Sequence, residues 1–207
     1  MSKNIETAVL IVGAGPVGLT LALDLAWRGI VVAVVETRGH GVPPPAKSNH
    51  VSASTMEVYR RLGISQKIRD AGLPADYPND VAFRTTFTGI EIARIPIPCR
   101  RDRYTTTEGP DTGWPTPEPP HRINQIYLEP ILFEQAAATA EISIHCRSRF
   151  IALEQSDHGA VAVIEDLETG NTHHILCEYL IGWDGGASAV CKSIGSQFHG
   201  DSGLQRC

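Results

Sequence analysis

The hydrophobic pattern is strongest at the start of the chain. An aliphatic run, Ala8 to Val12, stops at the glycine-rich sequence Gly13-Ala14-Gly15-Pro16-Val17-Gly18. Apolar residues then recur with helical spacing from Pro16 to Arg28, and a second apolar run, Ile30 to Val35, ends in Glu36. This order predicts a strand, a tight turn, a helix and a second strand, which is the first unit of a Rossmann-like α/β fold.

Each glycine of the predicted turn has its own physical reason. Gly13 allows a sharp turn, Gly15 lets a diphosphate reach the backbone, and Gly18 allows helix and strand to pack closely. The first helical amides and the helix dipole favour an anion, and Pro16 suits the first helical position. Glu36 lies about 20 residues further on, where a carboxylate accepts hydrogen bonds from an adenosine ribose. We therefore expect an adenine dinucleotide site, which the stretch itself leaves open between NAD and FAD.

The rest of the chain divides into irregular, helical and extended patterns. Half of the 14 prolines fall between Pro96 and Pro120, which indicates a long irregular loop. Helices are predicted in the second half of 46–63, over Ser65 to Ala71, and from Arg122 to about Ala140. A last helix is predicted after Ser188, running through Ile194 and Gly195. Strands are predicted over Val81 to Pro98, Ile142 to Cys146, Phe150 to Gln155, Ala160 to Asp166 and Thr172 to Ile181. The last two are expected to form a small antiparallel excursion from a parallel sheet.

A second strand-to-glycine turn follows at Gly182-Trp183-Asp184-Gly185-Gly186. It lies about where another strand would deliver its carboxyl end to the ligand crevice of such a sheet. Asp184 in this turn could contact a cofactor or could cap the helix that follows. The two roles are compatible, and the local sequence does not choose between them.

Composition restricts the function classes and the location. The formal net charge of −5 disfavours a nucleic-acid role, because phosphate backbones are bound by clustered Lys and Arg. No apolar run approaches about 18 residues and no secretory pattern is visible, so we expect a cytoplasmic protein without a membrane span. The five cysteines share no C-x-x-C spacing, and His173-His174 would point to opposite faces of a strand. Neither a disulfide framework nor a metal site is expected.

Three motifs of the chain occur together. The first is the glycine turn with Glu36 and Arg38, and the second is Lys47 to Gly63 followed by Asn124-Gln125 and Leu128-Glu129. The third is Gly182-Trp183-Asp184-Gly185, which is similar to a Gly-Cys-Asp-Gly motif. Together they resemble the single-component flavoprotein monooxygenases that hydroxylate aromatic rings, the para-hydroxybenzoate and phenol hydroxylase family. The second motif is similar to the basic loop, helix and flavin-contacting glutamine of that family.

The resemblance implies FAD as the cofactor, NAD(P)H as a transient reductant, and hydroxylation of a small aromatic, phenol-like substrate by O2. It assigns no catalytic side chain to this chain, because the cofactor supplies the chemistry. It implies that Glu36 binds the ribose and that Arg38 and Lys47 approach the adenosine and diphosphate. The other implied contacts are Gly13, Gly15, Pro16, Val17 and Gly18 at the diphosphate, and Gln125, Asp184 and Gly185 at the cofactor.

The resemblance also implies a division into three segments. Residues 1–80 would form the FAD-binding βαβ unit with its following helices, 81–121 the start of a substrate-domain sheet with a proline-rich loop, and 122–207 a return to the FAD-binding domain. The family continues with a substrate-covering sheet and a Gly-Asp-Ala-Ala-His-like segment, which Phe198 to Asp201 does not supply. We therefore expect the N-terminal part of a hydroxylase.

Two alternatives remain at this stage. The family carries arginine where this chain has Ser54, Ala187 and Cys191, so three cationic contacts to an anionic cofactor are missing. The chain could accordingly be a non-catalytic, truncated or decayed hydroxylase fragment. A less favoured alternative is an NAD-dependent dehydrogenase domain with the same glycine turn.

Overall fold

In a computed structural model, the first apolar run forms a strand in the middle of a six-stranded sheet. The structure describes residues 5–197 and 199–200, so Phe198 and Asp201 lie outside the described residues. The chain forms two compact units, the first up to Val42 and from Leu132 onward, the second from Pro43 to Ile131. The division into three segments at residues 80 and 121 stays a prediction.

Five α-helices, ten strands and one short 3-10 helix, Arg100–Asp102, are formed by the described residues. The helices are α1 Pro16–Trp27, α2 Ala53–Arg61, α3 Ser65–Asp70, α4 Gln125–Ala137 and α5 Ala189–Ser193. The strands are β1 Ile5–Val12, β2 Val32–Val35, β3 His50–Val51, β4 Val81–Arg84, β5 Glu91–Ile95, β6 His121–Arg122, β7 Ile142–His145, β8 Ser148–Ser156, β9 Gly159–Asp166 and β10 Thr172–Gly182.

The first unit is built on the six-stranded sheet, whose order is β7-β2-β1-β10-β9-β8. Strands β7, β2, β1 and β10 run parallel, whereas β9 pairs antiparallel with both β10 and β8. The predicted fold class is therefore confirmed: an α/β, Rossmann-like domain with a mixed sheet and a small antiparallel excursion. The excursion consists of β9 and β8, whereas β10, which is predicted to belong to it, pairs parallel with β1.

Both faces of the central parallel strands are buried, as is usual for a parallel sheet. All four residues of β2 are buried, and the side chains of β1 alternate between the two faces. Ile11 lies on the face covered by α1, which buries Leu19, Ala22, Leu23 and Ala26. Leu10 and Val12 lie in a cluster on the other face. That cluster also contains Ala33, Val35, Phe150, Ala162, Ile164, Ile175, Cys177 and Val190.

The second unit combines two short helices with two separate two-stranded sheets, β3-β6 and β4-β5. Helices α2 and α3 bury Met56, Tyr59 and Ile68. Met56 is thus a core residue, whereas Leu62, the C-cap residue of α2, is only half-buried. Every residue of β4 and β5 is exposed, so this hairpin has no covered face among the described residues of its unit.

Helix α4 begins later than the periodicity predicts. The pattern favours a helix from Arg122, but His121 and Arg122 form β6, which pairs antiparallel with β3. A ladder of two residues is too short to leave a periodic signal, so the pattern of the helix extends over it. Among the described residues, no helix combines the length and the apolar character that crossing a bilayer requires.

The turn between β1 and α1 is tight because several backbone segments meet there. Gly13 has φ = +108°, and a Cβ at this position would overlap the carbonyl oxygen of Trp183. A Cβ on Gly18 would overlap the carbonyl oxygen of Gly13. Gly15 differs from both, because its φ is −76° and a Cβ there would have no protein atom within 4 Å.

These differences predict opposite outcomes for two alanine substitutions. Gly18→Ala should lower the free energy of unfolding by about 1–3 kcal/mol, because a backbone carbonyl must move to admit the methyl group. Gly15→Ala is the matched control and should change it by about 0.5 kcal/mol or less. Urea unfolding followed by circular dichroism checks both values. Equal destabilisation by the two substitutions would contradict the assigned packing.

Candidate functional site

Two glycine turns lie side by side at the carboxyl edge of the sheet. Val12 at the end of β1 is in register with Gly182 at the end of β10. The Trp183 amide donates to the Val12 carbonyl at 2.8 Å, and the Gly13 amide donates to the Val35 carbonyl at 2.8 Å. The ends of β2, β1 and β10 are therefore adjacent, and each is followed by residues that the sequence selects for the site. This edge of a parallel sheet is where α/β proteins bind ligands.

The first turn of α1 forms an uncapped helix end at this edge. Gly15 is the N-cap residue, with no side-chain hydrogen bond to the helix, and Pro16 occupies the first turn. The side chain of Val17 is exposed, and the Leu19 amide already donates to the Gly15 carbonyl at 2.9 Å. Backbone N–H groups and the positive end of the helix dipole can thus bind an anion here, without any cationic side chain.

The surroundings of Gly15 show whether this helix end has room for a diphosphate. The conformation of Gly15 is open to any residue, and no protein atom would meet a side chain there, so the protein itself does not require glycine. The absence of a side chain leaves open space directly before the helix amides. Gly13 and Gly18, by contrast, are explained by contacts within the protein. The residues present fit a ligand that approaches the backbone closely at Gly15.

Glu36 follows β2 and is 9% exposed. Its Oε2 accepts the Ala14 amide at 2.9 Å and Arg38 Nη2 at 3.2 Å. Its Oε1 accepts the Arg38 amide at 2.9 Å, Arg38 Nε at 3.2 Å and the Thr37 hydroxyl at 3.2 Å. The carboxylate is therefore attached both to the glycine turn and to its own loop. The sequence selects Glu36 and Arg38 but does not indicate Ala14 or Thr37 as their partners.

These contacts determine the protonation state of Glu36. Burial raises the pKa of the carboxyl, but the hydrogen bonds and charge of Arg38, together with the Ala14 amide, outweigh burial. The pKa of Glu36 is consequently held below its ordinary value of 4.5. The group is an ionised acceptor at neutral pH, as the binding of sugar hydroxyl groups requires.

The carboxylate of Asp184 is directed at the start of α5. Its Oδ1 accepts the Ser188 hydroxyl at 2.5 Å, and its Oδ2 accepts the Ala189 amide at 2.6 Å. Ser188 is the N-cap residue of α5 and accepts the Cys191 amide at 2.9 Å. Asp184 thus has the capping role that the sequence leaves open, and its cofactor role stays a prediction. Ser188 is missed by the sequence reasoning, although serine before a helix is an ordinary N-cap signal.

The second glycine turn continues at Gly185, which has φ = +85° and whose carbonyl accepts the Ser188 amide at 3.0 Å. Gly185 is exposed, next to the turn that contacts Gly13. Two of the positions where the resemblance expects arginine lie nearby in the chain: Ala187 is exposed and Cys191 is half-buried in α5. The third, Ser54, is exposed in α2 of the other unit.

Lys47 and Gln125 lie in the second unit, where the backbone brings them close together. The Gln125 amide donates to the carbonyl of Ser48 at 2.8 Å, next to Lys47. The Gln125 side chain donates from Nε2 to Glu129 Oε2 at 3.0 Å, whereas Lys47 is exposed. The roles of both residues as cofactor contacts stay predictions.

Known proteins resemble this chain over almost its whole length. The family described as FAD binding domain matches residues 6–207. The 2,4-dichlorophenol 6-monooxygenase of Delftia acidovorans is 30% identical over 207 residues, covering 97% of this chain and 33% of the relative. The phenol 2-monooxygenase of Pseudomonas sp. (strain EST1001) is 29% identical over 199 residues, covering 94% and 31%. The chain thus spans about a third of the length of these curated relatives.

Solved structures give the same result. The rebeccamycin biosynthetic enzyme RebC with reduced flavin matches with a TM-score of 0.81 and 37% identity, covering 93% of this chain and 35% of RebC. The flavin-dependent monooxygenase PieE, in complex with FAD and substrate, matches with a TM-score of 0.82 and 31% identity, covering 97% of this chain and 34% of PieE. The family and the cofactor that the sequence predicts are therefore confirmed. The chain belongs to the FAD-binding-domain family of the flavoprotein monooxygenases, and its cofactor is FAD.

Proposed function

We propose that this chain is the FAD-binding part of a monooxygenase that hydroxylates a small, phenol-like aromatic substrate with NAD(P)H and O2. The relatives named above, which act on phenol and 2,4-dichlorophenol, support the substrate class. The central structural observation is the open space at Gly15 before the uncapped end of α1. Glycine at this position is explained by a diphosphate and not by the fold.

In this proposal the diphosphate binds to the turn Gly13, Gly15, Pro16, Val17 and Gly18, and the ribose binds to Glu36. When bound, FAD supplies hydride acceptance from NAD(P)H and activation of O2, so the protein supplies binding, orientation and exclusion of water. Asp184 acts by fixing the start of α5, which positions Gly185 beside the first glycine turn. None of these residues needs to transfer a proton.

Ribose binding has to change the contacts of Glu36. A carboxylate has about four lone-pair sites, and the chain already directs five donors at Glu36. The two backbone amides, from Ala14 and Arg38, are fixed by the turn and the loop. The Arg38 side chain, which is 27% exposed, is held at the end of a long stem and can change its position more easily than a backbone amide. We therefore expect a ribose hydroxyl to replace side-chain donors of Arg38 and to leave the amides in place.

A second candidate is a fragment that binds FAD without turnover. The observation that favours it is the presence of Ser54, Ala187 and Cys191 where the resemblance expects arginine, because charge-assisted hydrogen bonds contribute about 1.5–3 kcal/mol each. Both candidates share a diphosphate at Gly15 and differ in whether reduction and hydroxylation follow. We further propose a cytoplasmic location and no nucleic-acid partner, in line with the net charge of −5.

FAD binding by the purified chain tests the shared part of the proposal. Titration should quench the flavin fluorescence of added FAD, with saturation at one FAD per chain. Gly15→Val should weaken binding by at least tenfold without loss of the fold, because its side chain enters the open space in front of the helix amides. NAD should not compete at equal concentration. Absence of FAD binding, or equal affinity of the two variants, would refute the assigned site.

Turnover separates the two candidates. With FAD bound, NADH or NADPH should be oxidised faster when a phenol is present, and a hydroxylated product should form in step with O2 consumption. The same measurement on a chain extended to the length of its relatives is the matched comparison. FAD binding by both chains with no product from either would favour the non-catalytic candidate.

The contacts of Glu36 predict a pH-dependent loss of stability in Arg38→Gln. Burial remains in this variant while the charge of Arg38 is lost, so the pKa of Glu36 should rise. In the native chain the pKa lies below 4.5, so the stability from Glu36 is present above that pH and is lost as the pH falls through the folded-state pKa. The variant should therefore be less stable by about 1–3 kcal/mol at pH 7, and the difference should shrink in acid.

Urea unfolding between pH 7 and pH 3, without added FAD, checks this prediction. Arg28→Gln is the matched control, because Arg28 forms an exposed ion pair with Asp24 at 3.3 Å. Its effect should stay below about 1 kcal/mol at each pH. A difference between native chain and Arg38→Gln that does not change with pH would contradict the coupling to Glu36.

A further inference from the structure

The second unit contains a small polar cavity. The residues that line it are far in sequence from both glycine turns. Its walls come from nine residues within the segments 73–79, 100–103 and 120–122, and its volume is about 10 Å³. The polar side chains on the wall are Tyr77, Asn79, Arg100, Arg103, His121 and Arg122. A cavity of this size holds a single particle about as large as a water molecule.

Two guanidinium groups on this wall have a buried donor without a partner. Arg103 is almost fully buried, with its side chain 2% exposed, and its Nη2 donates to Asp111 Oδ2 at 2.7 Å. Its Nε nevertheless has no hydrogen-bond partner, and neither does the buried Nε of Arg100. Orphaned buried donors are rare in folded proteins and indicate an unassigned water molecule or ion.

The charges around the cavity do not balance. Arg103 is paired with Asp111, but Arg100 is paired only loosely, at 3.6 Å, with Asp70, whose side chain is 63% exposed. Arg122 is half-buried and has no ion-pair partner among the described residues. None of the described residues that line the cavity is acidic. Among the three arginines that line the cavity, one positive charge is therefore left without an acidic partner.

The two histidines near the cavity respond to this positive field. Burial, together with the charges of Arg69 and Arg100, lowers the pKa of His121 to about 4. Burial also lowers the pKa of His50, with Arg122 as the next cause. His121 is held by a hydrogen bond of 3.1 Å between Nε2 and the Ile68 carbonyl. Both rings are therefore neutral at pH 7 and leave the positive charge to the arginines.

We propose that this cavity binds a small monovalent anion of halide size, with chloride as the ordinary occupant. An anion can accept hydrogen bonds from the guanidinium groups that carry the orphaned Nε–H donors and also neutralises the excess charge, whereas a water molecule carries no charge. The bound anion would connect the segment of Arg100 and Arg103 to β6 and so stabilise the second unit. The proposal does not depend on FAD binding in the first unit.

Anion-dependent stability of the whole chain tests the site. Melting temperatures are measured at constant ionic strength while sodium gluconate is replaced by sodium chloride or sodium bromide, with the same FAD content in all samples. Both halides should raise the melting temperature by a few degrees along a saturating curve, because a ligand that binds only the folded state stabilises it. Identical melting temperatures in all three salts would overturn the proposal and leave water in the cavity.

Two variants and a diffraction measurement locate the effect. Arg122→Gln removes the unpaired charge and should abolish the halide dependence. Arg101→Gln is the matched control, because Arg101 is 64% exposed on the same segment and should keep the full dependence. Crystals grown in bromide should show an anomalous peak beside Arg100 and Arg103. Halide dependence that persists in Arg122→Gln, or a cavity without anomalous signal in the native chain, would overturn the assignment.

Discussion

The parallel pairing of β1 with β10 is the constraint on which the first unit depends. It sets Val12 beside Gly182 and joins the two following turns through the bond from the Trp183 amide to the Val12 carbonyl. Because the Trp183 carbonyl then lies against Gly13, only glycine fits there. The same pairing fixes where α5 begins, since Asp184 comes two residues after the strand and caps that helix. A change in strand register would move both turns together.

The two acidic residues at this edge of the sheet, Glu36 and Asp184, make the same kind of contact. Glu36 accepts the backbone amide of Ala14, and Asp184 accepts the backbone amide of Ala189. Glu36 thus joins the loop after β2 to the first glycine turn, and Asp184 joins the second glycine turn to the start of α5. The site obtains its preference for an anion from helix amides, and the negative side chains are occupied by donors that the protein provides. Because donors of the protein already stabilise these carboxylates, the two acids can lie close to a diphosphate site without strong charge repulsion.

Local and periodic features of the fold could be predicted from the sequence. The apolar run of β1, the helical spacing of α1 and the roles of Gly13 and Gly18 depend on neighbouring residues, and the structure shows them as expected. Short and distant pairings could not be predicted. The ladder of β3 with β6 has two residues, and the buried pair of Arg69 and Glu118, 2.6 Å apart, joins residues far apart in sequence. Such contacts are decided by the tertiary fold, and no periodicity records them.

The order of the strands in the sheet has a consequence for synthesis of the protein. Strand β1, the first of the described strands in chain order, occupies the middle of the sheet, but its partner β10 begins only at Thr172. Its other neighbour, β2, pairs on its far side with β7, which begins at Ile142. The edge of β1 that pairs with β10 must therefore stay open until nearly all of the described residues have been made, although β2 is available early as the partner of its other edge. Such high contact order slows folding, and we expect β1 to be the segment that chaperones must protect during translation.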